Sequence, residues 1–96
     1  MAAVVLTPTA VADLERLTGT HSLPATTREW VKSSLGPLAD FPLLGARLTG
    51  RWQGFRFTLG PWPWMLLVYV YEEQTSQLSV VTIQDARSAE SATWKR

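Results

Sequence analysis

GFRFTLGPWPWMLLVYVYEEQTSQLSVVTIQD, from Gly54 to Asp85, reads as three successive β-strands joined by two turns. Phe55, Phe57 and Leu59 alternate with Arg56 and Thr58, the period-2 pattern of a strand with one apolar face, and the other face carries Arg56. Gly60, Pro61 and Pro63 then reverse the chain, because proline fixes φ and cannot donate to a ladder while glycine relaxes the geometry. Every residue from Trp64 to Tyr71 is apolar or aromatic. A short run of this kind, β-branched at Val68 and Val70 and bounded by breakers, fits a central strand buried on both faces. Alternation places Trp64 with Leu66, Val68 and Val70, and Tyr69 and Tyr71 with Met65 and Leu67. A polar reversal from Glu72 to Ser76 leads to Leu78, Val80, Val81 and Ile83, closing an antiparallel hairpin.

Upstream, Ala2 to Leu6 forms a short strand, and Thr7 followed by Pro8 is a helix start, since threonine caps and proline at the first helical position loses no needed bond. Ala10, Val11, Leu14 and Leu17 recur at helical spacing up to Gly19. A second helix starts at Thr26 or Thr27 with Trp30, Val31, Leu35 and Leu38 on one side. Gly36 and Pro37 either kink or break it. The order strand, helix, helix, strand, strand, strand predicts an α+β fold: a small antiparallel sheet with two N-terminal helices packed on one face, the other left open as a working surface. The 96 residues make one domain, with a flexible tail expected from about Ser88.

Composition removes whole classes of chemistry. With no cysteine there is no disulfide, no thiolate catalysis and no Cys-based zinc site, and with one histidine, His21, no multi-histidine metal site. His21, in a loop between helices, reads as an ordinary surface residue. No phosphate-binding glycine fingerprint occurs, no cofactor is called for, and the absence of a signal or spanning segment predicts a soluble, cytoplasmic chain. Net charge is +1, but no acidic residue lies between Phe41 and Tyr71, where Arg47, Arg51 and Arg56 are found, and Lys95 and Arg96 end the chain. That distribution reads either as a local basic patch or as ordinary arginine scatter. Glu72 and Glu73 point to opposite faces and read as a solvated turn rather than a catalytic pair. Trp62, Trp64, Tyr69 and Tyr71 read as core or interface packing more readily than as platforms for bases. Trp52, beside Arg51 in a loop, has little reason to be buried. Arg56 and Arg87 are the leading functional candidates. They either converge on a phosphate at the open face or each pair with a carboxylate, Arg87 with Asp85 for example.

Three strings in this order resemble the RelE/ParE superfamily of toxins from bacterial type II toxin–antitoxin modules: VLTPTAVADLERL from Val5 to Leu17, LADFPLLGARLTGRWQGFRFTLG from Leu38 to Gly60, and LLVYVYEEQTSQLSVVTIQDARS from Leu66 to Ser88. The resemblance implies a toxin neutralised by a cognate antitoxin protein, acting on DNA gyrase or on the translating ribosome and its mRNA. It implies catalytic roles for Arg56 and Arg87, target contacts from Arg51, Trp52, Lys95 and Arg96, and antitoxin contacts from Val11, Leu14, Trp30 and Val31, with a toxin–antitoxin hetero-oligomer as the resting form. The chain departs from the ribonuclease pattern at Met65, Thr58, Gln84 and Asp85, where basic residues or glycine and histidine are usual. Two arginines stabilise a phosphorane but remove no 2′-hydroxyl proton, which leans the reading towards gyrase. The alternatives are a catalytically silent module that keeps the fold for partner recognition, and a nucleic-acid binder using Trp52, Arg51 and Arg56.

Overall fold

The computed structural model describes residues 1–93. It contains β1 (Ala3–Leu6), α1 (Pro8–Thr20), α2 (Thr27–Asp40), β2 (Ala46–Arg47), a 3-10 turn (Gly50–Trp52), β3 (Arg56–Leu59), β4 (Met65–Glu72) and β5 (Gln77–Asp85). Sheet order is β1-β5-β4-β3-β2. The three strands of the C-terminal half pair antiparallel as expected, with Phe57 opposite Val68 and Leu67 opposite Ile83. Two features correct the sequence reading. Ala46–Arg47 adds a two-residue strand at one edge, and β1 runs parallel to β5, making the sheet mixed rather than wholly antiparallel. Periodicity marks β1 as a strand but says nothing about its neighbour. That choice is made by α1 and α2, which carry the chain across the sheet and return it on the same side.

The start of α1 follows from Thr7, whose hydroxyl accepts from Ala10 N–H (3.2 Å) and donates to the Val80 carbonyl (2.9 Å), tying the helix start to β5. β1 pairs with only the first half of β5, so the second half lacks a neighbour on that side. Asp13 of α1 closes the gap: one carboxylate oxygen accepts from the Thr82 hydroxyl (2.5 Å) and from Ile83 N–H (3.2 Å). α2 runs unbroken through Pro37 to Asp40. The proline ring normally collides with the β-carbon of the residue before it, and Gly36 has none. Leu35 and Leu38, 2% and 1% exposed, anchor both sides of the proline to the core. No described helix is long and apolar enough to cross a membrane.

Because β4 is apolar on both faces, both faces need cover. Met65, Leu67 and Tyr69 pack with Leu78, Val80 and Ile83 beneath Ala10, Leu14, Leu17, Val31, Leu35 and Leu38 of the helices. On the reverse face, expected to be open, Leu66 and Val68 pack with Leu48, Trp52, Phe55 and Phe57, and with Ala86 and Ala92 from beyond β5. Beyond Asp85 the chain turns back onto this face, into the stretch from about Ser88 where a tail is expected: Ala92 N–H donates to Gln84 Oε1 (2.8 Å) and the Ser91 hydroxyl to the Ala86 carbonyl (3.3 Å).

Candidate functional site

Arg56 stands opposite Tyr69 in the β3–β4 register, and residues directly opposite across an antiparallel pair share a face. Tyr69 lies in the helix-side core, so Arg56 is on that side and not on the reverse face where it was expected. Its guanidinium donates to the carbonyls of Gly45 (2.8 Å) and Leu43 (3.2 Å). Beside it the fully buried Tyr69 hydroxyl accepts from Gly45 N–H (2.9 Å). Burial pushes the Tyr69 phenol above its ordinary pKa, so it stays protonated, against smaller opposing effects of the Gly45 hydrogen bond and the Arg56 charge. This corner fixes the backbone between α2 and β2.

Arg87 is elsewhere. Its neighbour Asp85 stands opposite Met65, four residues along β4 from Tyr69, a separation of roughly 13 Å at ~3.3 Å per residue, and β3 and β5 flank β4 on opposite sides. The two arginines therefore do not converge on one phosphate. Arg87 makes two side-chain hydrogen bonds to Asp85, both 2.9 Å, and lies over the Trp64 ring at 4.9 Å, so the carboxylate pairing is the arrangement found. The structure adds a residue that no sequence pattern selects. His21, at the end of α1, sets Nε2 at 3.4 Å from Asp85 and its ring at 4.5 Å from Trp64. No spacing rule joins His21 to Asp85; only the packing of α1 over the end of β5 does.

Alternation alone puts Trp64 on the reverse face. It instead precedes β4 on the helix side, because Met65 N–H closes a turn on the Trp62 carbonyl (3.0 Å) and the strand pleat begins only at Met65. Trp64, Trp62 and Trp30 follow one another with centroids 6.4 and 5.5 Å apart.

The hydrogen bonds from Arg87 hold the Asp85 carboxyl below the ordinary carboxylate range, and Asp85 in turn raises Arg87. A carboxyl whose folded pKa is depressed contributes stability above its unfolded value of about 4 and loses that contribution as pH falls through the folded value. Asp85→Asn removes this dependence. Thermal unfolding followed from about pH 5 to about pH 2.5 should show the wild type losing more midpoint temperature than the variant; parallel losses would show that the pair does not stabilise the fold.

The remaining predicted residues are dispersed. Arg51 is exposed and, with Trp52, lines an open cleft of about 640 Å³ between the 3-10 turn and α1, opposite Asp13 and Arg16. Trp52 is half-buried against Phe55, at 5.8 Å between ring centroids, contrary to the expectation that it has little reason to be buried; its Nε1 is enclosed, with no hydrogen-bond partner among the described residues. Asp13, Asp85 and Glu90 offset Arg16 and Arg51 around the cleft, which lacks the single-sign charge that focuses a polyanion. Lys95 and Arg96 lie outside the described residues. Leu14 and Val31 are in the core, 3% and 0% exposed, because the apolar stripes that carry them are the ones that pack on the sheet. Val11 is half-buried and Trp30 is 46% exposed, so these two present surface. Val11 borders a groove of about 550 Å³ between β1 and the helices, floored by Val4, Val5, Leu6 and Leu35 and rimmed by Arg28 and Lys32. Among the described residues no group of three metal-ligating side chains occurs.

No family model and no curated protein sequence matches the chain. Solved structures do. A chain of the RelBE2 toxin–antitoxin complex from Mycobacterium tuberculosis is 22% identical, with 88% of this chain and 96% of that one covered at a TM-score of 0.63. A chain of the intact RelBE toxin–antitoxin complex from E. coli is 16% identical, with coverage of 92% and 100% and a TM-score of 0.67. A metal-bound toxin from Helicobacter pylori is 23% identical, with coverage of 88% and 94% and a TM-score of 0.66. The chain has the fold of the RelE-like toxins, over nearly its whole length.

Proposed function

We propose that this chain is the toxin of a type II toxin–antitoxin module, held inactive by a cognate antitoxin. The observation that carries the reading is the end-to-end likeness of this fold to chains of two toxin–antitoxin complexes. The groove beside β1 supports the partner half of it. β1 is an edge strand, its neighbouring groove is apolar along the floor, and Arg28 and Lys32 stand at the rim. An amphipathic segment of the antitoxin with acidic flanks fits that combination, whether it enters as a strand or as a helix. The Ala12 side of α1 next to Val11 is exposed and continues the same surface.

For the target we favour DNA gyrase, bound and poisoned without chemistry by the toxin itself. Arg56 is engaged with two backbone carbonyls and Arg87 with a carboxylate, so neither stands ready for a scissile phosphate. Cleavage of ribosome-bound mRNA is the second reading, favoured by His21 beside Asp85. A histidine oriented by a carboxylate would supply the proton acceptor that two arginines lack.

Controlled expression in a growing bacterium without antitoxin, with DNA and protein synthesis followed separately, tests the proposal. Arrest with early DNA damage signalling and continuing translation is the expected result. Early loss of protein synthesis would move the target to the ribosome, where His21→Gln should then abolish the effect. Undisturbed growth with folded, abundant protein would overturn the toxin reading in favour of a silent binding module.

A further inference from the structure

At the end of β5 the nitrogen donors of two residues distant in sequence close on one carboxylate. Arg87 gives Asp85 three hydrogen bonds of 2.9 Å, from its backbone N–H and Nε–H to Oδ1 and from Nη2–H to Oδ2. His21, at the end of α1, sets Nε2 at 3.4 Å from the same Oδ2. The Arg87 side chain is the main cause of the lowered Asp85 pKa, with smaller help from the Arg87 N–H and from His21, so the pocket stabilises negative charge at this point. A guanidinium fork takes a phosphate edge as it takes a carboxylate edge, because both present two oxygens side by side.

Trp64 supports these donors independently of Asp85. Its ring lies 4.9 Å from the Arg87 guanidinium carbon and 4.5 Å from the His21 ring. The Arg87 side chain is 61% exposed, and Asp85 borders the cleft of about 640 Å³ together with Thr20 and Ser88, which gives a small anion a way in. A long polyanion suits the same cleft poorly, since Asp13 and Glu90 offset Arg16 and Arg51. An ion pair this close to solvent adds little to stability, so the hold of Asp85 on Arg87 and His21 acts mainly on what else those donors can bind.

We propose that Arg87, His21 and Trp64 form a binding site for a single phosphate group, and that Asp85 occupies the place of that phosphate as an internal competitor. The ligand enters from the cleft and Asp85 turns aside about its Cα–Cβ bond. The phosphate oxygens then take over the Arg87 fork and His21 Nε2, which donates as imidazolium or as the neutral ring protonated there. The proposal stands apart from the toxin reading and from both of its targets, since it concerns binding by the purified chain and not growth.

The test is a titration of the full chain, made by cell-free synthesis, with inorganic phosphate from ~1 to ~50 mM at constant ionic strength, followed by the Trp64 indole N–H and His21 ring resonances. Asp85→Ala should bind phosphate about tenfold more tightly than the wild type, because the like charge and the competing acceptor are both gone. Asp85→Asn, which keeps an acceptor for the Arg87 N–H and so preserves the turn, should gain about threefold. Adding Arg87→Ala to Asp85→Ala should abolish binding, and adding His21→Ala should remove most of the gain, with far-UV circular dichroism unchanged in both. A nucleoside 5′-monophosphate titrated in parallel separates the sources: tighter binding than inorganic phosphate assigns the site to a nucleotide, and equal binding assigns it to phosphate alone. Affinity that is unchanged or lower in both Asp85 variants overturns the proposal, because a carboxylate that only orients His21 and Arg87 weakens the site when it is removed. So does a gain that persists without Arg87.

Discussion

Gly45→Ala should lower the unfolding midpoint by about 10–20 °C, corresponding to a loss of about 2–3 kcal/mol in a chain of this size. A β-carbon on Gly45 would stand 2.5 Å from the Tyr69 hydroxyl and 2.6 Å from the Phe57 carbonyl oxygen. Neither can retreat. Phe57 belongs to β3 and is paired on both sides, with Ala46 and with Val68, while Tyr69 is fully enclosed in the helix-side core. Pushing the phenol away would also break its bond with Gly45 N–H and leave two buried polar groups without partners. Gly19→Ala is the control. It lies inside α1 with nothing within 4 Å of the position a β-carbon would take, so the same substitution should stabilise by about 0.5–1 kcal/mol through helix propensity. Thermal unfolding of the two variants side by side should therefore move in opposite directions; equal and small shifts would show that the corner around Gly45 relaxes freely.

The elements that sequence pattern reveals are those decided by local chemistry. Thr7 and Pro8 fix the start of α1, the apolar run fixes β4, and alternation correctly separates Phe57 from Arg56. What pattern does not carry is which face of the sheet receives the helices. The alternation in β3 says that Arg56 and Phe57 point opposite ways; only the placement of Tyr69 beneath α1 and α2 assigns Arg56 to the helix side. The same gap explains the candidate site. Arg87 and Asp85, two residues apart, are legible as a pair, whereas His21 joins them through tertiary packing alone. Trp52 escapes pattern reading because a loop residue has no period to obey. The two-faced apolar character of β4 requires a cover on its reverse side, and Trp52 with Leu48 and Phe55 supplies it.

Arg56→Ala should destabilise the chain by about 1–2 kcal/mol, lowering the midpoint by about 4–16 °C, because its removal loses the charged bond to the part-buried Gly45 carbonyl, while the exposed Leu43 carbonyl passes to water. The consequence for function runs opposite to a catalytic assignment. If Arg56 acts on a target, Arg56→Ala loses toxicity at every temperature while its melting point stays near that of the wild type. If it acts as the clamp seen at residues 43–45, toxicity and stability fall together, and growth at low temperature, where the variant remains folded, restores the activity. Arg87→Ala separates the cases further. Arg87 is exposed and its pairing with Asp85 is at the surface, so its removal should leave the midpoint within a few degrees of the wild type, as is usual for exposed ion pairs. A strong loss of toxicity in Arg87→Ala at unchanged stability would therefore identify the end of β5, with His21 and Trp64, as the working end of the molecule. Temperature-rescued toxicity in Arg56→Ala would at the same time assign the other corner to the scaffold.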